Sequence, residues 1–301
     1  MEIGDCADVT ATTLLAVPSP VDVTPLRVGS TLVCCPSATL AVWSSAWLSG
    51  AAASDDVLDA LQVWGEAHEV VAHDEATAEV FDVPVTGEVP APPARLLGAL
   101  RRLGTTDGRL VLPVAGDVRG LGAGGPFASA ALRAGEALVF ADLGFGVVPQ
   151  HVAEGLWRWT VFTLTSHPLS GTPAPEYVPL GEAEHGLTEA VRESAGTLQA
   201  LDVARDRPGV RAELSARLRA RPRPEWPPGM PGRTLRVLQR AEEIGTILGL
   251  AQADEPGGAV SASAAARRAE ALRPLGDAVR RARCAAVNEA IRLFARTSET
   301  S

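Results

Sequence analysis

The stretch "RLVLPVAGDVRGLGAGGPFASAALRAGEALVFAD", from Arg109 to Asp142, sets out a strand, a glycine-rich loop, a short helix and a second strand in that order. Gly120, Gly122 and Gly125 match G-x-G-x-x-G, Pro126 stands where a helix begins, and Asp142 lies 22 residues after Gly120. That context is the fingerprint of a dinucleotide site, in which glycines let the backbone approach a pyrophosphate and an acid holds a ribose hydroxyl. Three features oppose it. Five residues separate Val114 from Gly120, the helix from Pro126 to Ala134 has only nine residues, and the preceding elements form no regular βαβ series. No Walker lysine is available, because all 27 basic residues are arginine. The favoured reading is a structural loop whose glycines supply positive φ while Asp117 and Arg119 pair locally. A nucleotide-binding enzyme using Gly120, Gly122, Gly125 and Asp142 is the alternative, and no cofactor is assigned.

Outward from this stretch, the first half alternates short apolar runs with modest helices. "TATTLLAV", "LRVGSTLVCC", "TLAVWSS", "EVVAH" and "AEVFDVPV" predict strands, as does "LWRWTVFTLTSH", in which Trp157, Trp159 and Val161 share one face. Ser54 to Asp56 predict the capped start of a helix over "VLDALQVWG", and "PPARLLGALRRLG" predicts a helix opened by Pro and stopped by Gly. Beyond a Pro/Gly/Ser/Thr-rich linker the pattern is helical, over about 181–205, 209–220, 233–253 and 262–296. The expected fold is α+β: a mixed α/β-sheet domain over 1–166, a linker over 167–181, and an all-helical region over 182–301.

Within that helical region, Ala241, Gly245, Gly249 and Ala253 form a small-residue stripe that predicts close packing against the Ala-rich last helix. That last helix carries Leu272, Leu275, Val279, Val287, Ile291 and Phe294 on one face, and Pro274 predicts a kink or a division. "RPRPEWPPGMPG", with five prolines in twelve residues, predicts a stiff extended connector.

Composition narrows the function classes. Of 301 residues, 46% are apolar and 21% charged, which is ordinary for a globular chain. The net charge of −9 argues against a nucleic-acid coat. Residues 1–166 hold 19 acids and eight arginines, whereas 205–240 hold ten arginines and three acids. The basic segment predicts a contact surface for an acidic partner, with Arg217, Arg219, Arg221, Arg223 and Arg233 as its candidates. RNA or DNA contact through Arg205–Arg240 is a further alternative. The uncharged run Val28–Ser54 holds Pro36 and eight Ser or Thr, and reads as two strands and a turn rather than a membrane span. Cys6, Cys34, Cys35 and Cys284 lack metal-ligand spacing and fit a reduced, cytoplasmic protein. His68 and His73 read as core or surface residues, and Trp157 and Trp159 as core aromatics.

"LPVAGDVRGLGAGGPFASAALRAGEALVF", with "GFGVVP" and "LWRW" after it, resembles a group of uncharacterised actinobacterial proteins that share an L-P-V-x-G-D-x-R-G-L core. The resemblance is specific over 109–160 and implies no catalytic residue. The sequence alone therefore points to a non-enzymatic, cytoplasmic interaction or scaffold protein. Its contacts, with a protein partner or in a homodimer, are expected through the arginine-rich C-terminal helices.

Overall fold

The computed structural model describes residues 35–104, 108–122, 124–164, 177–200, 209–253 and 262–299. The expected strands at 10–17 and most of 26–35 lie outside them, as does most of the linker.

A five-stranded sheet organises the first half. β1 (Ala67–Ala72), β2 (Gly108–Val111), β3 (Ala137–Phe140), β4 (Phe145–Ala153) and β5 (Leu156–Thr163) stand in the order β1-β5-β4-β3-β2. β2 to β5 form an antiparallel meander, and β1 joins β5 in parallel. The register aligns Leu110, Leu138, Val147, Val161 and Ala72 in one row across all five strands. All five are buried in the main apolar cluster. Their chain neighbours Val111, Val139, Val148 and Phe162 point the other way, into a smaller cluster beneath α5 (Pro126–Ala134). This alternation is the period-two pattern of a sheet covered on both faces. β4 carries Gly146 and Pro149, which blur a strand signature. Pro149 is tolerated because β3 pairs only with Phe145, Gly146 and Val147, so the missing N–H falls beyond that ladder.

On the main face, "TLAVWSS" forms not a strand but the middle of α1 (Pro36–Leu48). Twelve of its 13 residues are buried, so no polar face remains to reveal a helical period. Several of its polar groups are satisfied nearby: Ser44 Oγ donates to Ala41 O, Thr39 Oγ1 accepts from Trp64 Nε1 at 2.9 Å, and Trp43 Nε1 donates to Glu225 O at 2.9 Å, whereas the buried Ser37 Oγ has no hydrogen-bond partner. The first part of "AEVFDVPV" is likewise helical, in α3 (Glu75–Phe81). Asp74 caps it by accepting from Thr77 N–H at 2.8 Å, and Asp82 ends it at φ 54°. Val80 and Phe81 gave the segment its strand-like look, and the Asp74 cap outweighs them.

Other expectations hold with small shifts. α2 (Ser54–Leu61) has Ala53 at its N-cap, and the Asp56 carboxylate accepts from Ala53 N–H at 2.8 Å. α4 (Pro93–Leu103) starts at proline and stops at Gly104, φ 73°.

The second half is helical: α6 (Leu180–Ala200), α7 (Val210–Ala220), α8 (Gly232–Ala253) and α9 (Ala262–Glu299). α9 runs through Pro274 as one 38-residue helix rather than two. It packs against α6, α8, α1 and β2. Leu272, Leu275, Val279, Val287, Ile291 and Phe294 are all buried. On α8, Ala241, Gly245 and Gly249 are buried as well. The proline-rich connector lies on the core, with Met230 buried and Trp226 packed against the main cluster. That cluster joins Val42, Leu97 and Leu138 to Leu187, Leu238 and Val287, so the sheet and the helices share it. No helix among the described residues is long and apolar enough to cross a membrane.

Candidate functional site

β2 is the last strand of the sheet, and α9 covers its free edge. Four residues of an α-helix advance about 6.0 Å, and two residues of a strand advance about 6.7 Å, so the two ladders nearly match. Arg280, Cys284, Asn288 and Arg292 recur every four residues on α9. Leu110 and Leu112 offer every second backbone group of the edge. Asn288 Oδ1 accepts from Leu110 N–H at 2.8 Å, and its Nδ2 donates to Leu110 O at 3.3 Å. One helical step back, Cys284 and Leu112 line the same cavity.

Between helix and edge lies a cavity of about 190 Å³, closed on a third side by Tyr177 and Val178 ahead of α6. Its lining includes Arg109, Arg119, Arg280, Arg281 and Arg292, with Asp117 as the one carboxylate. The turn Val114–Asp117 presents that carboxylate. Val114 and Asp117 exchange two backbone hydrogen bonds, and Gly116 takes φ 88°, a conformation glycine reaches without strain. Arg119 Nε and Nη2 each reach Asp117 at 2.8 Å, and Arg280 Nη2 reaches it at 2.6 Å. These hydrogen bonds, led by those from Arg119 and aided by the Arg280 charge, hold the Asp117 carboxyl at about 2.

Arg280 is 5% exposed and also bonds Asp277 at 3.0 Å, again through Nη2. Its Nη1 is buried and has no hydrogen-bond partner. At the other end, Tyr177 OH donates to Glu289 Oε2 at 2.8 Å, and Arg292 Nε donates to the same oxygen at 2.9 Å. Burial pushes the Cys284 thiol up to about 11, which keeps it protonated and a poor nucleophile.

A second buried polar group lies close by. Glu136, 9% exposed, accepts from Ser37 N–H in the first turn of α1 at 2.8 Å. Burial raises its pKa, while the Ser37 and Cys35 hydrogen bonds and the Arg283 charge oppose that shift.

The expected residues fall into separate places. Gly120, Gly122 and Gly125 have φ of 87°, 74° and 155°, and a Cβ on Gly122 or Gly125 would meet nothing within 4 Å. The loop sits on the surface, anchored by buried Leu121, and delivers Phe127 onto the sheet. Asp142 is exposed in the turn after β3. Val111 pairs with Ala137 and Gly108 with Phe140, so the glycine loop and Asp142 leave opposite ends of the β2–β3 ladder. The helix after the glycines leads into an antiparallel neighbour, whereas a dinucleotide βαβ unit leads into a parallel one.

Of the basic candidates, Arg217 bonds Glu213 within α7 at 2.9 Å, and Arg233 ties α8 to Glu184 of α6 at 2.9 Å. Arg221 is half-buried, and desolvation, with Arg283 nearby, lowers its pKa. Arg219 and Arg223 are exposed. His68 is half-buried: Trp159 Nε1 donates to its Nδ1 at 3.2 Å, so its Nε2 donates to Leu61 O at 2.9 Å. Burial lowers its pKa. The indole N–H of Trp157 is also satisfied, by Trp64 O at 2.8 Å.

Sequence reasoning missed Arg280, Arg292, Tyr177 and the Asn288 bridge. The available signal was a polar residue every fourth position on an Ala-rich helix, including the chain's one asparagine.

Comparison with known proteins places this architecture. The family model for the Rv1486c-like protein, N-terminal domain, matches residues 37–177, and that for its C-terminal domain matches 181–284. "Uncharacterized protein Rv1486c" of Mycobacterium tuberculosis (strain ATCC 25618 / H37Rv) is 37% identical over 287 residues, covering 84% of this chain and 96% of its own length. "Uncharacterized protein ML1804" of Mycobacterium leprae (strain TN) is 33% identical over 295 residues, with the same coverage. No solved structure matches the chain. The resemblance noted over 109–160 thus extends along most of the sequence, and the chain belongs to the Rv1486c-like protein family.

Proposed function

We propose that this protein is a non-enzymatic interaction protein that pairs with a second copy of itself through the arginine-bearing side of its helical half. One observation carries the reading: α7 contains no buried residue. It packs on α8 through half-buried Glu213, Leu214, Arg217 and Leu218 and leaves Arg211, Arg219 and the following Arg223 exposed. An isolated helix of this length is marginal in water, so a surface that covers its outer side supplies stability that the rest of the fold does not.

The partner surface is acidic and lies on the same chain. Asp55, Asp56 and Asp59 on α2 and Glu75 and Glu79 on α3 are all exposed. A two-fold arrangement in which each α7 meets the other copy's acidic helices closes with both contacts satisfied. The charge balance of the two segments, −11 over 1–166 against +7 over 205–240, supports that pairing. A non-catalytic role agrees with the cleft chemistry, where Cys284 is held protonated and Asp117 is held in ion pairs. Cys35 and Cys284 are not joined in a disulfide, which agrees with a reducing cytoplasm.

Sedimentation equilibrium of the full chain tests this directly. A dimer is expected at low salt, weakening as salt rises, and Arg219→Glu with Arg223→Glu should shift it to monomer. A monomer at every salt concentration overturns the proposal.

A further inference from the structure

We propose that the open dish between α3 and α4 is the socket for α7 of a second copy, with Glu79 receiving the partner copy's arginine at position 219. The proposal rests on the self-pairing put forward above and names the contact that holds it.

The dish follows from the way α3 ends. Asp82 takes φ 54° and turns the chain off the helix. The segment that follows runs along β1: Ala72 N–H donates to Pro84 O at 2.8 Å, and Val70 and Ala91 exchange two backbone hydrogen bonds. Pro92 and Pro93 then start α4. Val83, Pro84, Ala91 and Pro92 give the dish an apolar floor.

Its charges do not balance. Glu79, Asp82 and Arg95 line it, and the Arg95 guanidinium is bonded to Asp82, which ties α4 to the end of α3. Glu79 is exposed and has no hydrogen-bond or ion-pair partner among the described residues. One carboxylate thus stands unpaired beside an apolar floor. An arginine suits both features, because its methylene stem covers apolar surface while its fork meets a carboxylate with two N–H groups.

Arg219 supplies the complement. It is exposed and likewise has no partner among the described residues, so the two groups do not meet within one chain. α7 packs on α8, whereas α3 and α4 pack beside β1. Ser215, Ala216 and Ala220, around Arg219 on the outer side of α7, are small and exposed, which lets that side lie close to a concave surface. Arg217 is committed to Glu213, Arg211 opens the helix, and Arg223 lies beyond its end. The acids of α2 are less suited: Asp56 accepts from Ala53 N–H and Asp59 from Gln62 Nε2.

Charge reversal in trans tests the contact. The full chain, Glu79→Arg and Arg219→Glu are compared by sedimentation equilibrium at one low ionic strength, each alone and the two variants mixed in equal amounts. A two-fold dimer carries the contact twice, so each variant alone should associate more weakly by about tenfold per contact, or about a hundredfold in all. The mixture should regain the affinity of the parent protein, because the mixed dimer holds one parental contact and one with both charges exchanged. Asp59→Arg makes the same change of charge outside the dish and should weaken association far less. Both substituted positions are exposed, and thermal melts of the variants should match the parent.

A dimeric parent that Glu79→Arg weakens no more than Asp59→Arg does would overturn the socket and leave the self-pairing standing. A mixture no tighter than its separate components would do the same. A parent protein that is monomeric at every salt concentration overturns both.

Discussion

Asn288 seals the sheet edge at Leu110: its side-chain amide accepts from one backbone group and donates to the other, at 2.8 and 3.3 Å, across 178 residues of sequence. An unpaired edge invites further strands, and native folds cover or blunt it. Here a helix does so with an amide that copies the donor–acceptor pair of a neighbouring strand. The contact also joins α9, the hub of the helical half, to the end of the sheet.

Replacing Asn288 should therefore be costly. Asn288→Leu leaves the Leu110 N–H and C=O without partners, and an expected loss of about 2–3 kcal/mol is measurable by urea denaturation. Asn288→Asp separates the two bonds. Its carboxylate still accepts from Leu110 N–H but repels Leu110 C=O, so folding raises its pKa. Stability that depends on the protonated form is present below the unfolded value and is lost as pH rises through the folded one. The variant should thus approach the parent protein on acidification from pH 7 to 4. A constant deficit across that range would contradict the two-bond account.

Asp117 titrates in the opposite sense. Its folded pKa, about 2, lies below the ordinary carboxylate value. Its contribution is present above the unfolded pKa of about 3.9 and fades as pH falls toward the folded one. In melting curves, the parent protein should exceed Asp117→Asn at pH 6, and the gap should narrow between pH 4 and 2. A gap independent of pH would mean that the charge on Asp117 does not hold Arg280.

Glu136 offers a third test. It receives the Ser37 N–H at the start of α1 and faces the Arg283 charge from a buried position. Glu136→Ala removes the acceptor and leaves a cation in the interior, with an expected loss of about 3 kcal/mol or more. Chemical denaturation with an unchanged midpoint would show that α1 does not depend on this carboxylate.

The difference between what could and could not be foreseen has a physical basis. α6, α8 and α9 show themselves because water on one side imposes a period, as with Leu272, Leu275 and Val279 beside exposed Arg273 and Arg281. α1 hides because it has no solvent side, and a run such as Thr39–Ser45 carries no period when every residue is buried. α3 hides because Val80 and Phe81 favour strands locally, while its stability rests on the Asp74 cap. In the glycine loop the local content was legible: the Asp117–Arg119 pair and the positive φ values all occur. What Asp117 does for Arg280 was not, because the two lie 163 residues apart and no local rule links them.

Two glycines show how packing decides the sign of one substitution. Gly146 lies on β4 directly beneath Phe127, and a Cβ there would stand 2.2 Å from the ring. Both the ring and the strand are buried, so neither can yield easily. Gly146→Ala should cost about 1–3 kcal/mol through overpacking. Phe127→Leu should recover part of that cost in the double variant, giving a coupling energy that a double-mutant cycle resolves. Gly276 sits inside α9, where a Cβ would meet Leu248 Cδ2 at 3.5 Å, an ordinary contact. Gly276→Ala removes backbone freedom from the unfolded chain without a clash, and should stabilise by about 0.5–1 kcal/mol. Thermal melts of the two alanine variants should therefore move in opposite directions from the parent. If both fall, the α8–α9 contact at Gly276 is tighter than 3.5 Å; if both rise, Phe127 does not rest on Gly146 in solution.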